Sequence, residues 1–214
     1  MIYLDNAATT PLSADVLQAM EPWFHERAAN PSSVHGAGVR AAEAVDRARR
    51  RVGRLAAATT WDVIFTSGGT ESNALAILGT PGRGGSRRMI TTTLEHPSVL
   101  QNAMRLEQAG VEVITVAPGP HGVVDPERII DAVDARTALV SIMHANNEIG
   151  TMQPVADVAV GVKSRNPDTI VHVDAVQTAG KDDLDRTLAL VDLVSISGHQ
   201  MHAPMGVGAL LVRR

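Results

Sequence analysis

The sequence predicts an α/β fold built on a seven-stranded, mostly parallel sheet. Two observations carry that expectation. Seven short apolar, β-branched runs recur along the 214 residues: Val63–Phe65, Met89–Thr92, Val111–Val116, Ala138–Met143, Ile170–Val173, Val191–Ile196 and Val207–Val212. Between most of them, apolar residues recur at helical spacing. Strands that alternate with helices pair in parallel through right-handed crossovers, so that helices cover both faces of the sheet. The unbroken apolar character of the runs fits burial on both faces.

The elements follow in order. Val45, Ala48, Val52 and Leu55 place a helix ahead of the first strand. A second helix is expected to begin near Glu71, and the glycine-rich segment 82–85 after it reads as a plain turn. Leu100, Met104 and the residues near Leu106 form the next stripe. Ile129, Ile130 and Val133 form another, with Pro126 in its first turn. The last strand is expected to be antiparallel, because the linker Gly198–Gly206 is shorter than the dozen residues that parallel neighbours need.

Composition narrows the function. No apolar run approaches the ~20 residues of a membrane span, and the start lacks the basic head and apolar stretch of a secretory signal. The expectation is a cytoplasmic protein with no membrane partner. A net charge of -4 argues against nucleic acid. With no cysteine, these residues hold no disulfide, thiolate metal site or cysteine nucleophile. Of the 19 basic residues only Lys163 and Lys181 are lysines, so few amines could form a Schiff base.

A parallel sheet binds ligands beyond the carboxyl ends of its strands. Five such ends carry polar groups: Ser67-Gly68-Gly69-Thr70-Glu71, Leu94-Glu95-His96, His144-Ala145-Asn146-Asn147-Glu148, Asp174-Ala175-Val176-Gln177 and Ser197-Gly198-His199-Gln200. The first leads from a strand into a helix, where free amides attract an anion such as phosphate; the alternative is an ordinary tight turn. Asp174 either caps a turn or partners a protonated heteroaromatic nitrogen, and Gln177 is spaced to reach the same ligand. His96 could stack on a planar ring, move protons, or be structural. His199 and His202 are three apart, but without cysteine or an obvious third ligand no metal is expected.

The ordered set Asp5-Asn6-Ala7-Ala8-Thr9-Thr10-Pro11, Asn30-Pro31-Ser32-Ser33, Phe65 to Asn73, Glu95-His96, Met143 to Gly150, His172 to Gln177 and Ser195 to His199 resembles the pyridoxal-phosphate-dependent cysteine desulfurases of class V aminotransferase type. The resemblance implies a three-layer fold type I large domain over 16–214, preceded by an N-terminal segment, 1–15. It implies a phosphate cradle of Gly69, Thr70, Ser197, Gly198 and His199. It also implies His96 stacked on the cofactor ring, Asn147 and Gln177 near the ring hydroxyl, and Asp174 paired with the pyridinium, which makes the ring an electron sink. L-cysteine or a related amino acid would be the substrate, and a second copy or another chain the partner.

Two departures stand out. The family carries a lysine after Ser-Gly-His, and that lysine holds the cofactor covalently; here the position is Gln200. An amide forms no imine and is a poor base. Neither Lys163 nor Lys181 is a convincing substitute. The sequence also stops at Arg213-Arg214, right after the last apolar run, where the family continues into a small C-terminal domain bearing the nucleophilic cysteine and a carboxylate-binding arginine. The expectation is therefore a large domain without its small domain, inactive alone, exposing apolar surface, and binding any pyridoxal phosphate non-covalently. Three readings stay open: part of a split or truncated desulfurase, a non-catalytic interaction protein, and an incomplete gene product.

Overall fold

The computed structural model describes residues 2–56, 61–80, 88–182, 184 and 187–214. Helices α1 (Ala14–Met20) and α2 (Gly36–Gly53) precede strand β1 (Trp61–Thr66). There follow α3 (Gly69–Gly79), β2 (Arg88–Thr92), α4 (Pro97–Gln108), β3 (Glu112–Val116), α5 (Pro126–Asp131) and β4 (Thr137–Met143). The chain closes with α6 (Val155–Arg165), β5 (Ile170–Asp174), β6 (Leu193–Ser197) and β7 (Gly208–Arg213). All seven expected strands form, in one sheet ordered β1-β7-β6-β5-β4-β2-β3. Pairing is parallel from β6 through β5, β4 and β2 to β3. Strand β7 is antiparallel to both β6 and β1, as the short linker requires. Because β1 and β6 both oppose β7, they run the same way, and their carboxyl ends share one edge.

Side chains alternate across each strand. Val140, Ile142, Val171, Val173, Val194 and Ile196 face one side and pack in one cluster with Ile129 of α5 and Val155, Val158 and Val162 of α6. Met89 and Leu139 point the other way and join Ile77 of α3 with Val99, Ala103 and Leu106 of α4. These are three layers, helix, sheet and helix. Each fully buried aliphatic side chain contributes roughly 1.5–3 kcal/mol.

Three details differ from the sequence expectation. Helix α3 starts at Gly69 rather than near Glu71, since both glycines are needed to turn the chain off β1. Helix α2 ends at Gly53, and Leu55 lies in a short 3-10 turn. On α4 the buried row is Val99, Ala103 and Leu106, whereas Met104 is 57% exposed. The helix is rotated from the expected stripe because its Asn102 is also buried, where it donates to the Ser98 carbonyl. Segment 82–85 lies outside the described residues. The N-terminal region is loosely built into this frame. Helix α1 has no buried residue, and Ile2, Leu4, Phe24 and Val34 are all more than two-thirds exposed.

Candidate functional site

The shared edge of carboxyl ends forms a cavity of about 200 Å³. It is lined by Gly69, Thr70, His96, Asn147, Asp174, Gln177, Ser197, His199 and Gln200 from the expected set. Ala7, Ala8, Asn73, Ser98, Met143, Ala145 and Val176 complete the wall. Gly198 stands apart from the others. It backs onto the loop before β7, where an added Cβ would lie 2.8 Å from Val207 Cγ1 and 3.3 Å from Ala203 Cβ, so close packing rather than the cavity requires glycine there.

At the β1–α3 junction Gly68 has φ +153°, and Gly208 packs so tightly on it that a Cβ on Gly208 would lie 2.6 Å from the Gly68 Cα. A Cβ at Gly69 would meet Val176 Cγ2 at 2.7 Å, so the cradle stays open only with glycine. Glu71 Oε2 accepts from the Ser67 amide at 2.6 Å, a bond that lowers the Glu71 pKa. The leading amides of α3 face this end of the cavity, and helix starts leave such amides without intrahelical partners. Ser197 Oγ is buried with no partner among the described residues. An orphaned hydroxyl beside a helix start fits a phosphate oxygen.

Asp174 ends β5, buried. Its Oδ2 accepts from Asn73 Nδ2 at 2.7 Å and its Oδ1 from the Val176 amide at 3.0 Å. Burial pushes its pKa up, while those two bonds and nearby His96 pull it down. Next to it, Glu95 is a fully buried carboxyl. Its Oε1 accepts from Thr92 Oγ1 and from the Met143 amide, and burial pushes its pKa up to about 8. Its Oε2 is buried with no partner among the described residues. His172 lies two residues before Asp174 on the same face of β5. It bridges Ser141 Oγ at 2.8 Å and Ser195 Oγ at 2.9 Å, and burial lowers its pKa to about 3. Beyond β4, Asn146 donates to the Leu94 carbonyl and accepts from the amides of Glu148 and Ile149, a loop shape that carries Asn147 to the cavity.

The far wall is the N-terminal segment, laced to residues 199–202. Thr10 donates to the His199 carbonyl through both N and Oγ1 at 2.8 Å. His199 Nδ1 meets Thr9 Oγ1, and His202, with φ +57°, meets the Pro11 carbonyl. The two histidines thus serve as fasteners at separate points, and no group of three potential metal-binding side chains occurs among the described residues. Gln200 Nε2 donates to the carbonyls of Ala7 and Ala8 at 2.8 and 3.1 Å. Gln177 Nε2 donates to the same Ala7 carbonyl at 2.9 Å, leaving its oxygen to face a ligand. Lys181 Nζ reaches Gln200 Oε1 at 3.3 Å from outside the cavity wall, and its partial burial lowers its pKa. Lys163 is remote, paired with Asp192 at 2.7 Å.

A family model described as Aminotransferase class-V matches residues 2–214. The chain belongs to that family. It is 42% identical to a cysteine desulfurase of Nostoc sp., over the whole of this chain and 53% of that protein. A solved structure titled NifS-like protein superposes with a TM-score of 0.94 at 41% identity, covering 100% of this chain and 59% of that one. Another, titled SspA in complex with cysteine, gives 0.91 at 35% identity, covering 99% of this chain and 61% of its own. The chain thus spans about half the length of the relatives it matches. As a family member it carries the fold type I large-domain architecture expected from its motifs.

Asn73, Ser98 and the Ala7–Ala8 wall escape a reading of strand ends. Asn73 lies one helical turn beyond Gly69, a spacing that returns it to the cavity. Ser98 follows a proline at the start of α4. The Ala7–Ala8 segment has no apolar pattern; its family-like motif marks it in the sequence, and the tertiary contact shows that it forms a wall of the cavity.

Proposed function

We propose that residues 16–214 are the cofactor-binding large domain of a cysteine desulfurase-like protein. They would hold pyridoxal 5'-phosphate without a covalent bond. Gly69, Thr70, Ser197 and His199 would hold the phosphate, while His96 stacks on the ring. Asn147 and the free oxygen of Gln177 would meet the ring hydroxyl, and Asp174 the ring nitrogen. The bound ring would supply an electron sink for bonds at a substrate's α-carbon. The substrate class is L-cysteine or a related amino acid, supported by the desulfurase relatives and by the cysteine complex of the SspA structure.

The observation that carries this reading is the buried, unpartnered Ser197 hydroxyl at the α3 start, set across one cavity from the hydrogen-bonded carboxylate of Asp174. Gln200 sets its limit. Its amide is fully engaged as a strut and offers no amine, and no cysteine among the 214 residues can carry sulfur. Desulfuration would therefore need groups from outside these residues. The apolar surface of the N-terminal region, with Ile2, Leu4 and Phe24 exposed, supports association with a second copy or a partner chain. The structural engagement of Gln200 also favours a second reading, a non-catalytic family member that acts by interaction.

Titration with pyridoxal phosphate tests the proposal. Bound cofactor should keep the absorbance of a free aldehyde, and borohydride should fix no label to the protein. Gln200→Lys should give the absorbance of a covalently held cofactor and a reducible label at position 200, without sulfur release. Absence of saturable binding would favour the interaction reading. A label at Lys181 in the unsubstituted protein would refute non-covalent holding.

A further inference from the structure

One run of hydrogen bonds, buried at Asp174, Asn73 and Ser98 and exposed at His96, joins two walls of the cavity. It passes from Asp174 Oδ2 to Asn73 Nδ2 at 2.7 Å, from Asn73 Nδ2 to Ser98 Oγ at 2.9 Å, and from Ser98 Oγ to His96 Nδ1 at 2.7 Å. All four side chains line the same cavity.

Counting hydrogens fixes the direction of each bond. The Asn73 amide nitrogen has two hydrogens, one for Asp174 and one for Ser98. Ser98 Oγ therefore accepts from Asn73 and has its own hydrogen left for His96 Nδ1. The Ser98 backbone amide also donates to that nitrogen, at 3.1 Å. A ring nitrogen that accepts two bonds carries no proton. Neutral His96 then has its proton on Nε2, which makes no hydrogen bond among the described residues.

The other end of the run decides this arrangement. An ionised Asp174 demands an N–H from Asn73. Meeting that demand leaves Asn73 Oδ1 buried without a partner among the described residues, which carries a desolvation cost. Turned over, the amide would put its oxygen against the carboxylate, and Ser98 would donate to that oxygen instead of to His96. Both Asp174 oxygens accept from N–H groups, Oδ1 from the Val176 amide and Oδ2 from Asn73, the pattern of an ionised carboxylate, and such a charge opposes the turn.

We propose that Asn73 and Ser98 are positioning residues that link the charge of Asp174 to the tautomer of His96, holding the imidazole as an Nε2–H donor toward a bound molecule. An amide does not pass a proton along, so the run sets a tautomer and does not conduct protons. The value of that donor to a cofactor rests on the pyridoxal-phosphate reading; the tautomer itself does not.

Nitrogen NMR of the 214-residue chain labelled with 15N-histidine tests this without cofactor, at a pH of about 7.5 where imidazoles are mostly neutral. His96 is assigned by the signals lost in His96→Gln. The expected ring has a protonated Nε2 and an unprotonated Nδ1. Asn73→Ala should draw the two ring signals toward each other, because the Ser98 hydroxyl is then free to turn. Ser98→Ala should do so as well, because the hydroxyl donor is gone, with the backbone amide of residue 98 limiting the change in both variants, and Ser98→Thr should keep the original pattern. A proton on Nδ1 in the unsubstituted protein overturns the proposal, as do unchanged ring signals in Asn73→Ala. Should Asn73→Ala not fold, the unsubstituted spectrum and the Ser98 pair still decide: indistinguishable Ala and Thr spectra count against it. Failure of pyridoxal phosphate to bind would leave these signals in place and count only against the cofactor reading.

Discussion

Successive residues of β4 and β5 face two different environments. Toward α5 and α6, Val140, Ile142, Val171 and Val173 meet only apolar neighbours. Toward α3 and α4, Ser141, His172 and Asp174 lie in a layer of buried polar groups, tied to Ser195, Asn73 and the cavity. The same strands thus stabilise the fold on one face and hold the site on the other. The polar face gives up apolar burial and survives because nearly every group has a partner. Two of its few orphans, Ser197 Oγ and Asn73 Oδ1, belong to cavity-lining residues, and a third, Glu95 Oε2, lies behind the wall.

Substitutions on the two faces should separate these contributions. The largest loss is expected on the apolar face. Ile142→Ala, at a fully buried position, should lower stability by about 2–5 kcal/mol, read as a fall in the urea midpoint at unchanged slope. A loss below about 1 kcal/mol would mean that this face is not the main stabiliser.

The polar face should govern how stability varies with pH. Burial raises Glu95 from 4.5 to about 8, so between those values the folded state holds a proton that the unfolded chain releases. Stability should fall as pH rises through that window, by roughly 1 kcal/mol per unit while the mismatch lasts. His172 acts in the opposite sense. Burial lowers it from 6.5 to about 3, so stability should fall as pH drops through that range, where the unfolded chain takes up a proton the folded state refuses. Between pH 4.5 and 6.5 the two slopes oppose each other, so Glu95→Gln should remove the alkaline fall and expose the acid one. Urea melts from pH 4.5 to 8 check this, and an unchanged alkaline limb in the variant would disprove it.

A smaller loss is expected for Ser141→Ala, which strips His172 Nδ1 of its partner in a buried setting. About 1–3 kcal/mol should go, with the cavity otherwise intact. The smallest effect belongs to Met104→Gln on the exposed side of α4, within about 0.5 kcal/mol in thermal unfolding. A larger loss there would reinstate the stripe that the sequence pattern suggests.

Strand positions, the alternation with helices and the antiparallel β7 were legible in the sequence because they depend on local periodicity and linker length. The polar strand ends were legible for the same reason, since a parallel sheet gathers its carboxyl ends along one edge. That Gln200 is an amide, and that no cysteine lies within these residues, follows from the sequence alone. Tertiary structure decided what no local pattern encodes. Gln200 and Gln177 converge on the Ala7 carbonyl across sequence separations of 193 and 170 residues. Asn73, 101 residues from Asp174, meets it only because α3 packs over the end of β5. Gly198 is a glycine of the strand-end motif, yet the loop before β7, at Ala203 and Val207, claims it for close packing. Periodicity reports which face of an element is buried. Only the assembled sheet determines which polar groups, brought together from distant stretches of chain, find one another there.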